Sequence, residues 1–264
     1  MNANNAWLAL MIGNSRLHWG LFHGKTLQLT WDTDHLPDYL IEQIIKCQIP
    51  ADFPDSVAEI PSKLVLASVV PTQTALWTIY PKVHLITLDQ IPLKQKYTTL
   101  GSDRALAVWG AGKTLGFPIL VIDAGTAMTF TGADANQCLV GGAILPGLGL
   151  QFSSLGQKTG QLPLLKTNTI TNLPRRFALN TPESIQSGII YTILAGIKDF
   201  SADWLTLFPE SKIVITGGDR TLLKTHLQTQ FPEIAKHLIV EQNLIFWGIE
   251  KVITDMNFPC EVSM

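Results

Sequence analysis

The sequence predicts an α/β fold built as two similar halves, each a mixed sheet with helices, with a cleft between them. Three observations predict it. A chain of 264 residues is long enough for one large domain or two packed ones. Hydrophobic residues make up 46% and charged residues only 15%, against roughly 25% in an ordinary soluble chain. Such a composition supports a large buried core and excludes disorder. Finally, one order of elements occurs twice: an apolar strand, a polar turn containing glycine, further strands, then helices. Met11-Ile-Gly-Asn-Ser15 and Asp123-Ala-Gly-Thr-Ala127 are the corresponding turns. Halves of that kind leave a cleft for a ligand. They are expected at residues 1–115 and 116–264.

Charge and apolar patterning exclude several classes. Nineteen basic against 21 acidic residues give a net charge of −2, with no basic excess for a nucleic-acid footprint. No apolar run approaches the ~18 residues of a membrane span; the candidate Pro118–Ile122 is stopped by Asp123. The first residues lack the basic region of a secretory leader. Cys47, Cys138 and Cys260 are few and far apart, which reads as reduced thiols, each a small buried apolar residue, in a cytoplasmic protein.

The elements follow from local pattern. Trp7–Ile12 is a buried strand, with His18–Phe22 returning and Thr26–Trp31 next, across a hairpin turn at Gly24. Leu36, Leu40, Ile41, Ile44 and Ile45 recur at helical spacing, with Pro37 in the first turn. Lys63–Val70 and His84–Leu88 are strands. Ser102 caps a helix running to Lys113. The second half repeats with strands at Ile119–Ile122, Met128–Gly132 and Leu139–Ile144. A loop spans Pro163–Arg176. Thr181-Pro182-Glu183 reads as cap, first-turn proline and first-turn acid. Ile185, Ile189, Ile193 and Ile197 stripe the helix that follows. Lys212–Thr216 is a strand, and Asn243–Ile249 fits a helix or a strand, with helix the favoured reading.

One motif is a decoy. Ala107-Val-Trp-Gly-Ala-Gly-Lys-Thr114 fits a degenerate phosphate-loop pattern, but such a loop follows a strand and opens a helix. Here a helix precedes it and a strand follows. Its small residues suit close helix packing instead. The six histidines show no metal-ligand spacing and read as structural or surface residues.

Three glycine turns after apolar runs remain: Gly13-Asn14-Ser15, Gly125-Thr126 and Gly217-Gly218. Glycine lets backbone N–H groups approach an anion, and a neighbouring hydroxyl adds a donor. A single such turn is most often a hairpin. Together they resemble the phosphate and adenosine turns of the actin and sugar-kinase superfamily. The resemblance sharpens at Gly101-Ser102-Asp103-Arg104. With Leu8–Ser15, Val121–Ala127, Gly141–Gly147, Asn180–Gly188 and Ile215–Asp219, it forms six blocks in the order found in type III pantothenate kinases. The chain is similar to that family over nearly its whole length.

The resemblance implies two ribonuclease H-like halves and transfer of the ATP γ-phosphoryl group to the pantothenate hydroxyl, the first step towards coenzyme A. It implies Asp103 as the catalytic carboxylate. Gly13, Asn14, Ser15, Arg16, Thr126, Gly217 and Gly218 would bind ATP. Tyr97, Gly101, Ser102, Asp103, Arg104 and Thr181 would bind pantothenate, Tyr97 at a spacing to Asp103 shorter than in many members. Asp123 would hold a monovalent cation, potassium or ammonium, while magnesium arrives with ATP. Asp103 would also serve as a first-turn helix acid and Thr181 as an N-cap.

The family turn begins Asp-x-Gly-Asn, and here that Asp is Met11, whose thioether is a poor magnesium ligand. Magnesium use is therefore expected to weaken without abolishing transfer. Met11→Asp would restore it if the strand end accepts the charge. The alternative is a non-catalytic, ligand-binding or regulatory relative. A homodimer is expected from the low charge, the Ile185–Ile197 stripe with Gly188 and Gly196, and the resemblance.

Overall fold

Two hairpins, one in each half of the chain, seed two sheets of identical strand order. The computed structural model describes residues 5–170 and 172–256. The chain divides into two compact units, residues 1–114 with 244–264, and residues 115–243.

In the first unit, β1 (Ala6–Ile12), β2 (Leu17–His23) and β3 (Thr26–Thr33) form an antiparallel meander. After α1 (Asp38–Ile45), β4 (Lys63–Ser68) returns parallel to β1. After α2 (Pro71–Trp77), β5 (Lys82–Leu85) pairs parallel with β4. The order is β3-β2-β1-β4-β5. Strand alternation sends Leu8, Leu10 and Ile12 to one face, where they join Trp19, Trp77, Ile41 and Ile44 in a core. On the opposite face Trp7 stacks on Phe22, their centroids 4.1 Å apart. Helix α3 (Ser102–Leu115) follows.

The second unit repeats the plan. β6 (Ile119–Ala124), β7 (Ala127–Ala133) and β8 (Leu139–Pro146) are antiparallel. Then come α4 (Leu148–Lys158) and α5 (Thr181–Leu207). β9 (Lys212–Thr216) returns parallel to β6. After α6 (Arg220–Gln230) and α7 (Pro232–Ala235), β10 (Leu238–Val240) pairs with β9. The order is β10-β9-β6-β7-β8, the same first-strand-central arrangement. Ile185, Ile189, Ile193 and Ile197 lie in this core with Phe130, Phe152 and Ile215.

The last helix, α8 (Leu244–Asp255), joins the first unit, whereas the sequence division ran the second half to residue 264. Its Phe246 packs at Gly20, where an added Cβ would come within 2.9 Å of the ring. Gly110 on α3 and Gly248 on α8 each meet the other helix's backbone, with no room for a Cβ. The phosphate-loop-like run therefore serves helix crossing, as its small residues suggest.

Several local expectations change. Pro37 is the N-cap of α1 rather than a first-turn residue. The strand expected at His84–Leu88 is Lys82–Leu85, with a 3-10 turn from Leu88. Ser102 lies within α3, and its hydroxyl donates to Ser68 O at 2.9 Å instead of capping. Asn180, not Thr181, caps α5: its Oδ1 accepts from Glu183 N at 3.0 Å. Cys47 is exposed and Cys138 partly so, both as free thiols; neither is a buried apolar residue, and Cys260 lies outside the described residues.

Candidate active site

Both groups of candidate residues sit just beyond the carboxyl ends of the first and fourth strands of their sheet. Ligands of α/β folds gather at such strand ends. In the first unit Ile12 and Ser68 are register partners. Gly13 follows Ile12 directly, and Ser102 is tied to Ser68 by its hydroxyl. Val69 N donates to Ile12 O at 3.1 Å, continuing the pairing past the strand ends. The Gly13–Arg16 turn and the start of α3 are thus fixed at one end of one sheet.

The turn is closed by Gly13 N donating to Arg16 O at 3.0 Å. Asn14, Ser15 and Arg16 are exposed. His35 Nε2 lies 2.9 Å from Gly13 O, and a carbonyl oxygen only accepts, so that nitrogen is the donor. At α3, Asp103 Oδ1 accepts from Arg104 N at 2.7 Å. Gly101 makes this possible, because a Cβ there would strike Asp103 Oδ1. Burial pushes the Asp103 carboxyl above the usual aspartate range. The Arg104 N–H, the Arg104 charge, its own backbone and His18 pull the other way. Arg104 is itself buried, and its Nη1 donates to the Tyr97 hydroxyl at 2.8 Å. Gly101, Ser102, Asp103, Arg104 and Tyr97 are therefore brought together.

The second unit presents the matching arrangement. Asp123 and Thr216 are register partners at the ends of β6 and β9. Gly217, at φ +88°, folds onto the end of β6, and a Cβ there would meet Asp123 Oδ1 at 2.5 Å. Asp219 N donates to Ala124 O at 3.0 Å, holding the two turns together. Thr126 is exposed, and its carbonyl accepts from Gly147 N at 2.9 Å. Gly147 is the N-cap of α4, so that helix starts against the Gly125-Thr126 turn. Around Gly218 there is open space. Burial pushes Asp219 above the usual range.

Thr181 opens α5 on the rim of a cavity of about 770 Å³ lined also by Leu155, Leu162, Leu179, Ser184 and Gly188. With capping assigned to Asn180, the Thr181 hydroxyl is not needed to end the helix. Sequence reasoning missed Gly147, Asp219, Asp32, His18 and His35. The first two lay inside motif blocks; the pairing of His18 with Asp32 emerges only from strand register, and His35 only from its contact with the Gly13 carbonyl.

Met11 is fully buried at the end of β1. Among the described residues no cluster of three or more His, Cys, Asp or Glu side chains could hold a metal ion. A Cβ on Gly125 or Gly217 would come within 3.3 Å or 2.5 Å of Asp123 Oδ1, so both glycines leave space beside that oxygen. A hard carboxylate oxygen in such a cradle suits a hard cation.

Two units of this topology, each with glycine turns at its strand ends, define the two-domain fold of actin-like ATPases and sugar kinases. An activator of 2-hydroxyisocaproyl-CoA dehydratase from Clostridium difficile, with bound ADPNP, shares the fold at TM-score 0.51 and 13% identity, over 98% of this chain and 100% of that one. A Baf family protein from Campylobacter jejuni shares it at TM-score 0.64 and 22% identity, over 94% and 98%. Residues 7–203 match the family model for type III pantothenate kinase. The type III pantothenate kinase of Nostoc sp. (strain PCC 7120) is 57% identical over 94% of this chain and 95% of its own. That of Synechocystis sp. (strain PCC 6803) is 45% identical over 93% and 90%. The chain belongs to the type III pantothenate kinase family.

Proposed function

We propose that this kinase transfers the γ-phosphoryl group of ATP to the primary hydroxyl of pantothenate, with Asp103 as the carboxylate at the attacking oxygen. The observation that carries the assignment is the placement of Asp103. It is a desolvated carboxylate held by Arg104 N–H at 2.7 Å, at the sheet end that also carries the Gly13–Arg16 turn. Phosphoryl transfer depends on positioning and electrostatics. Asp103 accepts the proton as the hydroxyl oxygen bonds to Pγ, and the bond from Pγ to the bridging oxygen breaks to release ADP. Arg104, joined to Tyr97, offers its guanidinium to the pantothenate carboxylate. Gly101 and Ser102 set the backbone there, and Thr181 supplies a hydroxyl.

The Gly13–Arg16, Gly125-Thr126 and Gly217-Gly218 turns receive the nucleotide, with Gly147 at the start of α4 beside the second turn. Magnesium, which neutralises charge on the phosphates, arrives on ATP, because Met11 offers it no ligand. Asp123 holds the monovalent cation, potassium or ammonium.

A homodimer fits the second unit's surface. The Ile185–Ile197 stripe serves the core and not an interface. Instead Phe177 is 88% and Leu179 93% exposed, beside the cavity that Thr181 lines. Apolar side chains so exposed suit a second copy. No helix among the described residues is long and apolar enough to cross a membrane. Sparse free thiols favour the cytoplasm.

Met11 favours one rival, a non-catalytic relative that binds the ligands. Incubation with ATP, magnesium, potassium and pantothenate, followed by mass analysis, separates the two. Phosphopantothenate supports the kinase, and bound but unchanged pantothenate supports the rival.

A further inference from the structure

Tyr97 reaches Arg104 from a stretch of irregular chain. Residues 91–101 link the 3-10 turn Leu88–Gln90 to the start of α3. Carbonyls in such a stretch have no ladder or helix to bond them, so side chains or water must. One side chain serves three of them. Lys96 Nζ donates to Leu88 O at 2.6 Å and to Ile91 O, and lies 3.5 Å from Asp89 O. An ammonium has three donors and no acceptor, so three carbonyls match it. Lys96 thus fastens the end of the segment to its beginning. The amine is turned inward, and its burial pushes its pKa below the ordinary lysine value, with Asp89 pulling the other way.

The closure has a backbone cost next to it. Gln95, immediately before Lys96, is left-handed at φ 56°. Glycine enters that region freely, whereas a glutamine is held there only when its surroundings fix it. The bonds of Lys96 to the carbonyls do so from one side. Ile91 and Leu93, both buried, seat the loop on the core. After Lys96 the chain is fixed again, because Leu100 N donates to Tyr97 O at 3.1 Å and Leu100 is buried. The Tyr97 side chain itself has little packing, since the residue is 44% exposed. Its position rests on the backbone to either side and on the bond from Arg104 Nη1 to its hydroxyl at 2.8 Å.

We propose that Lys96 is a positioning residue for pantothenate. By closing this loop onto Leu88, Asp89 and Ile91 it sets Tyr97, and through Tyr97 it sets the guanidinium of Arg104 that receives the substrate carboxylate. The inference rests on reading Arg104 as the pantothenate contact.

The test is a double-mutant cycle on the full-length protein, read by steady-state kinetics with each substrate varied in turn and by circular dichroism to verify folding. Lys96→Met keeps the apolar stem and removes the donors. It is expected to raise KM for pantothenate about threefold, with KM for ATP changed by less than about 1.5-fold. In the Tyr97→Phe background the same change is expected to raise KM for pantothenate by less than about 1.5-fold, because a residue that acts through Tyr97 then has nothing left to act on. Lys96→Gln keeps an amide donor, so a smaller rise confined to pantothenate is expected, and it decides the matter if Lys96→Met does not fold. Three results overturn the inference while leaving the kinase reading intact: an unchanged KM for pantothenate in the folded variants, an equal rise for ATP, or the same rise with and without the Tyr97 hydroxyl. No pantothenate-dependent turnover by the unmutated protein overturns both.

Discussion

Arg104 donates from Nη1 to the Tyr97 hydroxyl at 2.8 Å, joining a buried cation to an exposed phenol. The pair positions one guanidinium edge and leaves Tyr97 at the surface, where the proposed pantothenate site would meet it. Tyr97→Phe removes that anchor and little else. It should raise KM for pantothenate roughly threefold to tenfold, the worth of one hydrogen bond to a charged group. KM for ATP should stay unchanged. Steady-state kinetics with each substrate varied in turn will show the split; a rise for both would place Tyr97 outside substrate binding.

The raised Asp103 carboxyl gives a signed pH dependence. Its folded pKa lies above the unfolded one because burial disfavours the charge. In the window between the two, the folded state binds more protons, so stability falls as pH rises through it. Above that window the ionised carboxylate costs stability. Asp103→Asn should therefore melt at or above the wild-type temperature at neutral pH, while kcat falls roughly 10²–10⁴-fold. Thermal melts beside rate measurements check both halves, and a less stable variant with normal kcat contradicts both.

Met11→Asp was expected to improve magnesium use only if the strand end accepts a charge. Burial decides against that condition: Met11 is 1% exposed and its neighbours in the sheet include Ala67. A carboxylate there should cost about 3 kcal/mol or more. In a chain of this size that lowers Tm by roughly 6–12 °C. The magnesium concentration for half-maximal rate should not fall. Calorimetric melts and a magnesium titration test the two statements, and a stable variant with a lower magnesium requirement refutes them.

Gly217 carries a backbone that other residues adopt only under strain, at φ +88°, and its missing Cβ makes room for Asp123. Gly217→Ala should destabilise the fold by about 1–3 kcal/mol and raise KM for ATP. Denaturant unfolding and nucleotide titration measure both; an unperturbed variant would show the turn to be open.

Much of this architecture was legible in the sequence for a physical reason. Trp7–Ile12 in β1, Ile119–Ile122 in β6 and Ile213–Ile215 in β9 are apolar and buried, and a glycine turn follows each strand. The duplicated order shows in the strand, glycine turn and further strands that open each half, with Met11–Ser15 and Asp123–Ala127 as the matching turns. What remained hidden depends on partners distant in the chain. The cap of α5 went to Asn180 rather than Thr181, because both residue types can cap and only backbone geometry chooses between them. The Ser102 hydroxyl bonds Ser68, 34 residues away. The His18–Asp32 pair gave no motif, since it depends on register across a strand pair. The exposed Phe177 and Leu179 fell within or beside an unpatterned loop.

The proposed homodimer rests on that exposed patch. Phe177→Asp with Leu179→Asp should convert a dimer to a monomer by light scattering at micromolar concentration, with the fold retained. A wild-type monomer under those conditions contradicts the assignment.

Asp103 is the residue on which the proposed phosphoryl transfer to pantothenate turns. The most direct measurement is pantothenate-dependent ADP release at saturating ATP, magnesium and potassium, for the unmutated protein and Asp103→Asn side by side. Steady release is expected from the first and a loss of two to four orders of magnitude in the second. No pantothenate-dependent release by the unmutated protein, or equal rates from the two, would contradict it.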